Sequence, residues 1–395
     1  MALDVLRGVA LLGICAVHMP HFGLVDSGAT EAPQQLGGAA MVATWITHAL
    51  FLSRSFPLFA TLFGAGLILQ MQRIERAGGD FTRIYRRRLV WLGTFGVLHG
   101  TLLFSGDVLF LYSLCGALLF LCRRLPPRTL LIGSAVLLAL GAVLGVVLQD
   151  PSSPSPSTTL DQPTWDEHED ITLQQIAGAR DEQWDAFERK AYGEGPLRST
   201  LLVNTASYLV WLLYGAMSSY DARVLAFFVL GAALMKLRAF DRTNERHHRL
   251  AGLVGLGIGV PVSAAAPWLR SGTDSGALPA LVSGLGSLLV VAGYLGGFTW
   301  LANRAPRALP VRMLAAAGRL ALTNYLLQSV LGNLLFRWFG FDLFEQLDHA
   351  ELFAIAVAMF SCQALFSLLW LARWRMGPME WLWRRLTYGD PRLRR

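Results

Sequence analysis

The chain has 395 residues, 54% of them hydrophobic and only 15% charged, with a mean hydropathy of +0.44 and a formal net charge of +7. That composition excludes an ordinary soluble domain of this length. The positive charge is no nucleic-acid footprint either: the basic residues lie in short loops between long apolar runs, as topology determinants do in a polytopic helical membrane protein.

Taken in chain order, apolar runs fall near 5–23, 40–71, 86–104, 107–122, 129–148, 201–217, 222–237, 250–268, 277–302, 312–335 and 351–372. The expected fold is an all-α integral membrane helix bundle, since a transmembrane barrel would show short alternating segments instead. The first stretch is too polar, and lacks a small-residue cleavage site, to read as a signal peptide. Basic clusters at 73–88, 123–128, 236–249, 304–312 and from Arg373 onward hold 24 of the 34 Lys and Arg, which assigns them to the cytoplasmic face. The 24–40 loop has no base, and 150–200 has four against eleven acids, so both are expected outside. One crossing then remains for the two runs at 201–217 and 222–237. The first of them, with Asn204, Ser207 and Tyr208, is expected to lie along the outer surface, to re-enter, or to fuse with the next run. Ten crossings with both termini cytoplasmic follow; the alternative is eleven, with one loop violating the charge rule.

Four parts are expected. Residues 1–148 form five helices carrying a His/Arg site, and 149–200 an extracytoplasmic segment. The rest of the membrane helices span 201–376, and 377–395 is a cytoplasmic interfacial tail. Within the second part, 150–164 is a linker by composition. Ile176, Trp184, Phe187 and Ala191 mark an amphipathic helix that either rests on the bilayer or covers the bundle. In the tail, Trp381, Trp383 and Tyr388 beside Arg384 and Arg385 read as an interfacial anchor. No internal repeat stands out. The four cysteines read as small core residues.

Chemistry concentrates in the costly polar residues of the apolar runs. The first run carries Asp4, Arg7, His18 and His21. Arg7 and His18, about three turns apart, share a helix face at a separation of roughly 16 Å. On the first three crossings His18, His48 and His99 each fall roughly 8 to 12 Å below the outer surface, and Asp107 follows in an SGD turn. A lone intramembrane histidine is as readily a helix-packing hydrogen bonder. Three at one level beside a carboxylate point to a shared polar cavity, where an imidazole oriented by Asp107 serves as general base. His18 and His99 are rivals for that role. No local spacing of ligands supports a metal, and none is expected. At a deeper level Arg7, Arg54, Arg319, Asn324 and Gln328 are expected to line a polar path from the cytoplasmic side, Asn324 and Gln328 sharing one face at i and i+4. For Arg7, snorkelling and a local pair with Asp4 are the plainer alternatives. The glycines from Gly64 to Gly100 read as close helix packing.

The segments LDVLRGVALLGICAVH, FPLFATLFGAGLILQMQR, GDVLFLYSLCGALL, GRLALTNYLLQSVLGNLLF and GPMEWLWRRLTYG, in this order along nearly the whole chain, resemble the YeiB family of bacterial membrane proteins. Asp4, Arg7 and Gly8 form a D-x-x-R-G element similar to that of transmembrane acyltransferases, which include heparan-α-glucosaminide N-acetyltransferase and the acyltransferase-3 family. Arg7 and His18, with ten residues between them, match the Arg/His pattern of the latter. The resemblance implies a histidine acting in acyl transfer, an arginine engaging the donor, acyl-coenzyme A as that donor, an extracytoplasmic or lipid-linked hydroxyl or amine as acceptor, the bacterial inner membrane as location, and a homodimer. In that picture Arg83, Arg86, Arg87, Arg88, Arg304, Arg307 and Arg312 either hold the donor's phosphates or only set topology. A small-solute or lipid transporter using the same intramembrane charges is the alternative function.

Overall fold

A computed structural model describes residues 1–147, 171–172, 175–176, 181–217, 220–270 and 277–388, and no strand occurs among them. The linker at 150–164 lies outside the described residues. The helices of eight residues or more are α1 (Ala2–Gly23), α2 (Gly38–Leu50), α3 (Ser55–Arg76), α4 (Phe81–Leu102), α5 (Leu109–Cys122), α6 (Pro127–Val147), α7 (Asp181–Arg189), α8 (Leu197–Met217), α9 (Tyr220–Lys236), α10 (Glu245–Arg270), α11 (Ala277–Arg304), α12 (Leu309–Arg319), α13 (Ala321–Phe336), α14 (His349–Arg373) and α15 (Pro378–Thr387). Six helical stretches are long and apolar enough to cross a bilayer: Ala2–Gly23, Gly38–Arg76, Pro127–Leu144, Arg242–Leu269, Leu281–Arg304 and His349–Arg373. The chain is an all-α membrane helix bundle. Leucines and valines on α6, α10 and α11, such as Val143, Leu253 and Leu285, remain exposed, as a lipid-facing surface requires.

Helix α1 is the central post. It buries residues on every side, from Val5 and Leu6 to Met19 and Phe22, as expected of a helix that is apolar all round. It packs on α3, α12, α13 and α14. Gly8 and Gly318 make the α1–α12 contact possible: a Cβ on either would collide with the backbone carbonyl of Leu314 or of Asp4. Met1 and Tyr388 line one and the same cavity.

Two expected helices are broken. The 40–71 run divides at 51–54, where Ser53 adopts φ 59°. The 312–335 run divides at Leu320 (φ −101°, ψ 35°), between α12 and α13. The second break leaves the first amides of α13 without intrahelical partners. Glu380 of α15 supplies them: its Oε1 accepts from the amides of Leu322 at 2.7 Å and Thr323 at 3.0 Å, and its Oε2 from the Thr323 hydroxyl at 2.6 Å. Residues 201–217 form a separate helix, α8. The rings of Trp211 and Tyr220 lie 5.9 Å apart, whereas a continuous straight helix would put them on opposite faces and about 13.5 Å apart along its axis. α8 and α9 are therefore not parts of one straight helix.

The amphipathic segment covers the bundle. Phe187, Ala191 and Tyr192 bury themselves with Val25, Val203 and Phe344. The Asp26 amide donates to Glu188 at 2.7 Å, and Arg189 pairs with Glu345 at 2.8 Å. The Arg337 guanidinium, which follows α13, stacks 3.3 Å over the Tyr192 ring. The tail also turns inward more than an interfacial anchor would. Trp383 donates to the Arg88 carbonyl at 3.1 Å and carries the Arg88 guanidinium 3.7 Å over its ring, and Gln70 donates to the Tyr388 hydroxyl at 3.2 Å. Of the five anchor residues, Trp381 and Arg385 face out.

Candidate functional site

The site is assembled by three pieces of chain. Helix α4 ends just after His99, and the loop that follows folds back to start α5. Asp107 caps that start, its Oδ2 accepting from the Phe110 amide at 3.1 Å. Its other oxygen, Oδ1, accepts from His99 Nδ1 at 2.9 Å. Gly96, one turn before His99, lets the α5 start approach, since a Cβ there would collide with the Phe110 backbone. Across from them, α13 brings Ser329, whose Oγ lies 2.8 Å from His99 Nε2, and Tyr325, whose hydroxyl is 3.5 Å from Asp107 Oδ1. Asp107, His99 and Ser329 are all buried, at 0%, 2% and 2% exposure. With Asp107 a carboxylate and the imidazole neutral, Nδ1 of His99 donates to Asp107 and Nε2 accepts from the Ser329 hydroxyl. Carboxylate, imidazole and hydroxyl stand in one line, an arrangement that can move a proton off the hydroxyl.

Two cavities adjoin this line. The larger, about 1350 Å³, opens at the face that holds Met1 and Tyr388. That exceeds the roughly 300 to 1,000 Å³ of common small-molecule pockets. Arg7, Arg73, Arg88, Arg242, Arg319, Arg375 and Arg384 line it, against the three carboxylates Asp4, Asp241 and Glu380. Ile14, Phe59, Leu92, Val108 and Leu109 give it apolar lining, and it reaches Tyr325. The smaller, about 10 Å³, is lined by Cys15, His18, Met19, Phe22, Tyr325, Gln328 and Ser329. Tyr325 lines both cavities and is the partition between them.

His18, His99 and Asp107 are thus brought together. The His18 ring packs 4.6 Å from Phe104, which also borders His99, and His18 shares the small pocket with Ser329. His48 lines neither cavity, and its carbonyl accepts from Arg54 at 2.7 Å. Arg54 does not line the path either. It is buried at the α2–α3 break, where it donates to the carbonyls of His48 and Leu52 and so satisfies backbone groups that the break exposes. Arg7 and Asp4 line the large cavity as a pair 3.1 Å apart. Arg319 lines its mouth and donates to the Arg375 carbonyl. Asn324 leaves the expected path: it ties α13 to Ser367 of α14 at 2.9 Å and to the Ala317 carbonyl. Gln328 borders the small pocket and donates to Gln363 at 3.1 Å. Of the seven basic residues expected at the inner mouth, Arg88 lines the cavity and the other six do not. No group of three or more His, Cys, Asp or Glu suited to a metal occurs among the described residues.

Sequence reasoning missed Ser329, Tyr325 and four of the cavity arginines. Tyr325 and Ser329 are spaced i and i+4 on α13, beside the Asn324/Gln328 stripe, and that register was the available signal.

Residues 234–390 match a family described as "Protein of unknown function (DUF418)". The chain is 31% identical to the uncharacterized protein YxaH of Bacillus subtilis, over 98% of this chain and 93% of that one. It is also 31% identical to the uncharacterized protein YeiB of Escherichia coli, over 98% and 96%. A 39.9 kDa protein from Bacillus acidopullulyticus is 25% identical over 98% and 93%. End-to-end similarity at this level makes the chain, an all-α membrane bundle, a member of the YeiB family.

Proposed function

We propose that this protein is a membrane acyltransferase that takes an acyl group from acyl-coenzyme A on the arginine-rich side and passes it to a hydroxyl or amine entering from the other side. One observation carries the reading: the large cavity is lined by seven arginines and by a set of apolar side chains, and it reaches Tyr325, which touches Asp107 and borders the pocket of His18 and Ser329. A long ligand with a polyanionic head and a thin, less polar arm fits that lining. The arginines meet the phosphates through charge-assisted hydrogen bonds. The arm lies along α1, past Gly66, whose missing side chain leaves room beside Arg7. His99, held by Asp107, is the general base, and His18 faces the acceptor side. The charge rule makes the arginine-rich face cytoplasmic, and a bacterial cytoplasmic membrane is the matching location.

Calorimetric titration of acetyl-coenzyme A into the purified full chain in nanodiscs tests the donor assignment. Saturable binding is expected, weakened by Arg7→Gln. A folded protein that takes up no donor at millimolar concentration would refute it. A transporter is the second reading, favoured by a cavity that penetrates from one face and stops at Tyr325. Solute uptake into proteoliposomes without release of free coenzyme A would establish that reading instead.

A further inference from the structure

Ser329 is hydrogen-bonded in an unusual way for its position. A hydroxyl inside a helix commonly bonds to the carbonyl one turn back. Ser55 bonds to Phe51, Thr61 to Pro57 and Thr101 to Val97 in that manner. Ser329 turns away from its own helix to His99 Nε2, at 2.8 Å, while Asp107 holds the far side of the same ring. A packing serine in an apolar helix has no need of an imidazole and a carboxylate brought from 230 residues away. The same hydroxyl also borders a pocket, beyond the partition formed by Tyr325.

We propose that Ser329 is a nucleophile that carries the acyl group as a serine ester between the two halves of the reaction. This rests on the acyl-transfer reading above. In the first half, once the incoming arm displaces the Tyr325 ring, Ser329 Oγ attacks the thioester carbonyl carbon while its proton passes to His99 Nε2, and Asp107 stabilises the imidazolium through Nδ1–H. The tetrahedral adduct collapses with cleavage of the C–S bond. The sulfur leaves as a thiol, taking the proton from Nε2. In the second half, the acceptor's hydroxyl or amine attacks the ester carbon and gives its proton to His99. The bond between the acyl carbon and Ser329 Oγ breaks, and His99 returns the proton to that oxygen. Thioester and acceptor become thiol and acylated acceptor, and all three residues are restored. The pocket beside Ser329, about 10 Å³, holds no more than about one water, so the ester persists until an acceptor displaces the lining.

The test is a single-turnover experiment on the full chain in nanodiscs. Radiolabelled acetyl-coenzyme A is added without acceptor, the mixture is quenched in acid, and the protein is mapped by mass spectrometry. Donor binding is measured by calorimetry on the same preparation. The expected result is a burst of one free coenzyme A per chain and one acetyl group on the peptide that contains Ser329. Ser329→Ala binds donor within about twofold of the parent and gives no burst. Ser329→Cys gives an adduct sensitive to hydroxylamine, as a thioester is. Donor binding with no covalent acetyl group, or with the label on His18 or Cys15, overturns the serine ester and leaves the acyltransferase reading in place. Absence of donor binding overturns both.

Discussion

His99 and Ser329 meet at 2.8 Å although 230 residues separate them in the chain. The contact joins the N-terminal helices to the C-terminal ones, and the site exists only where α4 and α13 adjoin. Asp107→Asn is therefore expected to keep the hydrogen bonding of the α5 start and lose the correct imidazole tautomer. Transfer should fall about 10²- to 10⁴-fold, with donor affinity unchanged, as read by turnover and calorimetry on one preparation. Equal loss of binding and turnover would mean that Asp107 only holds the fold.

Tyr325 divides the two cavities, and Cys15 lies in the small one. Cys15 should react slowly with a thiol reagent in the parent protein and at least tenfold faster in Tyr325→Ala, where the partition is gone. Loss of the ring from the core should also cost about 3 to 5 kcal/mol of stability, so Tyr325→Leu is the milder companion. Unchanged labelling in both would show that the cavities communicate by another route.

The arginines at the cavity mouth are expected to act on the donor head. Arg7→Gln and Arg88→Gln should each weaken acyl-coenzyme A binding about 10- to 100-fold, the range for one charge-assisted contact. Arg54→Gln should leave affinity alone and lower the melting temperature, since its guanidinium serves backbone carbonyls at the α2–α3 break.

The outer cover should respond to pH. Burial pushes the Glu188 carboxyl up to about 7 from an ordinary 4.5, against the lowering effect of the Asp26 amide. The folded carboxyl thus keeps its proton over a window in which the released segment gives it up. The resulting stabilisation is complete below about 4.5 and is lost as pH rises through 7. Hydrogen exchange of residues 181–194 should accelerate across that window, and Glu188→Gln should flatten the profile.

Glu380 holds α15 to the start of α13. Glu380→Ala should cost about 1 to 2 kcal/mol, as loss of a helix cap does, and expose the 378–387 backbone to exchange.

Much of this architecture is legible in the sequence. The length and recurrence of the apolar runs are enough to read an all-α membrane helix bundle. The His99/Asp107 pairing is legible too, because eight residues and an SGD turn return the chain to the same helix end. The depth of Arg54 misleads, since depth along a continuous helix loses its meaning once the helix breaks at Ser53. The polar insertion SRS in an apolar run was the trace of that break. Ser329 is invisible for a different reason. One hydroxyl in an apolar helix carries no mark of what faces it, and α4 approaches only in the folded chain. The arginines Arg73, Arg242, Arg375 and Arg384 look like topology signals, and only the fold turns them toward a common cavity.

The most direct test of the account is a structure of the full chain with a non-hydrolysable thioether analogue of acyl-coenzyme A. The account predicts phosphates among Arg7, Arg88 and the neighbouring arginines, the arm along α1, and the carbon that stands for the acyl carbonyl about 3 to 3.5 Å from Ser329 Oγ. An analogue bound with its head elsewhere, or an empty cavity at saturating analogue, would contradict it.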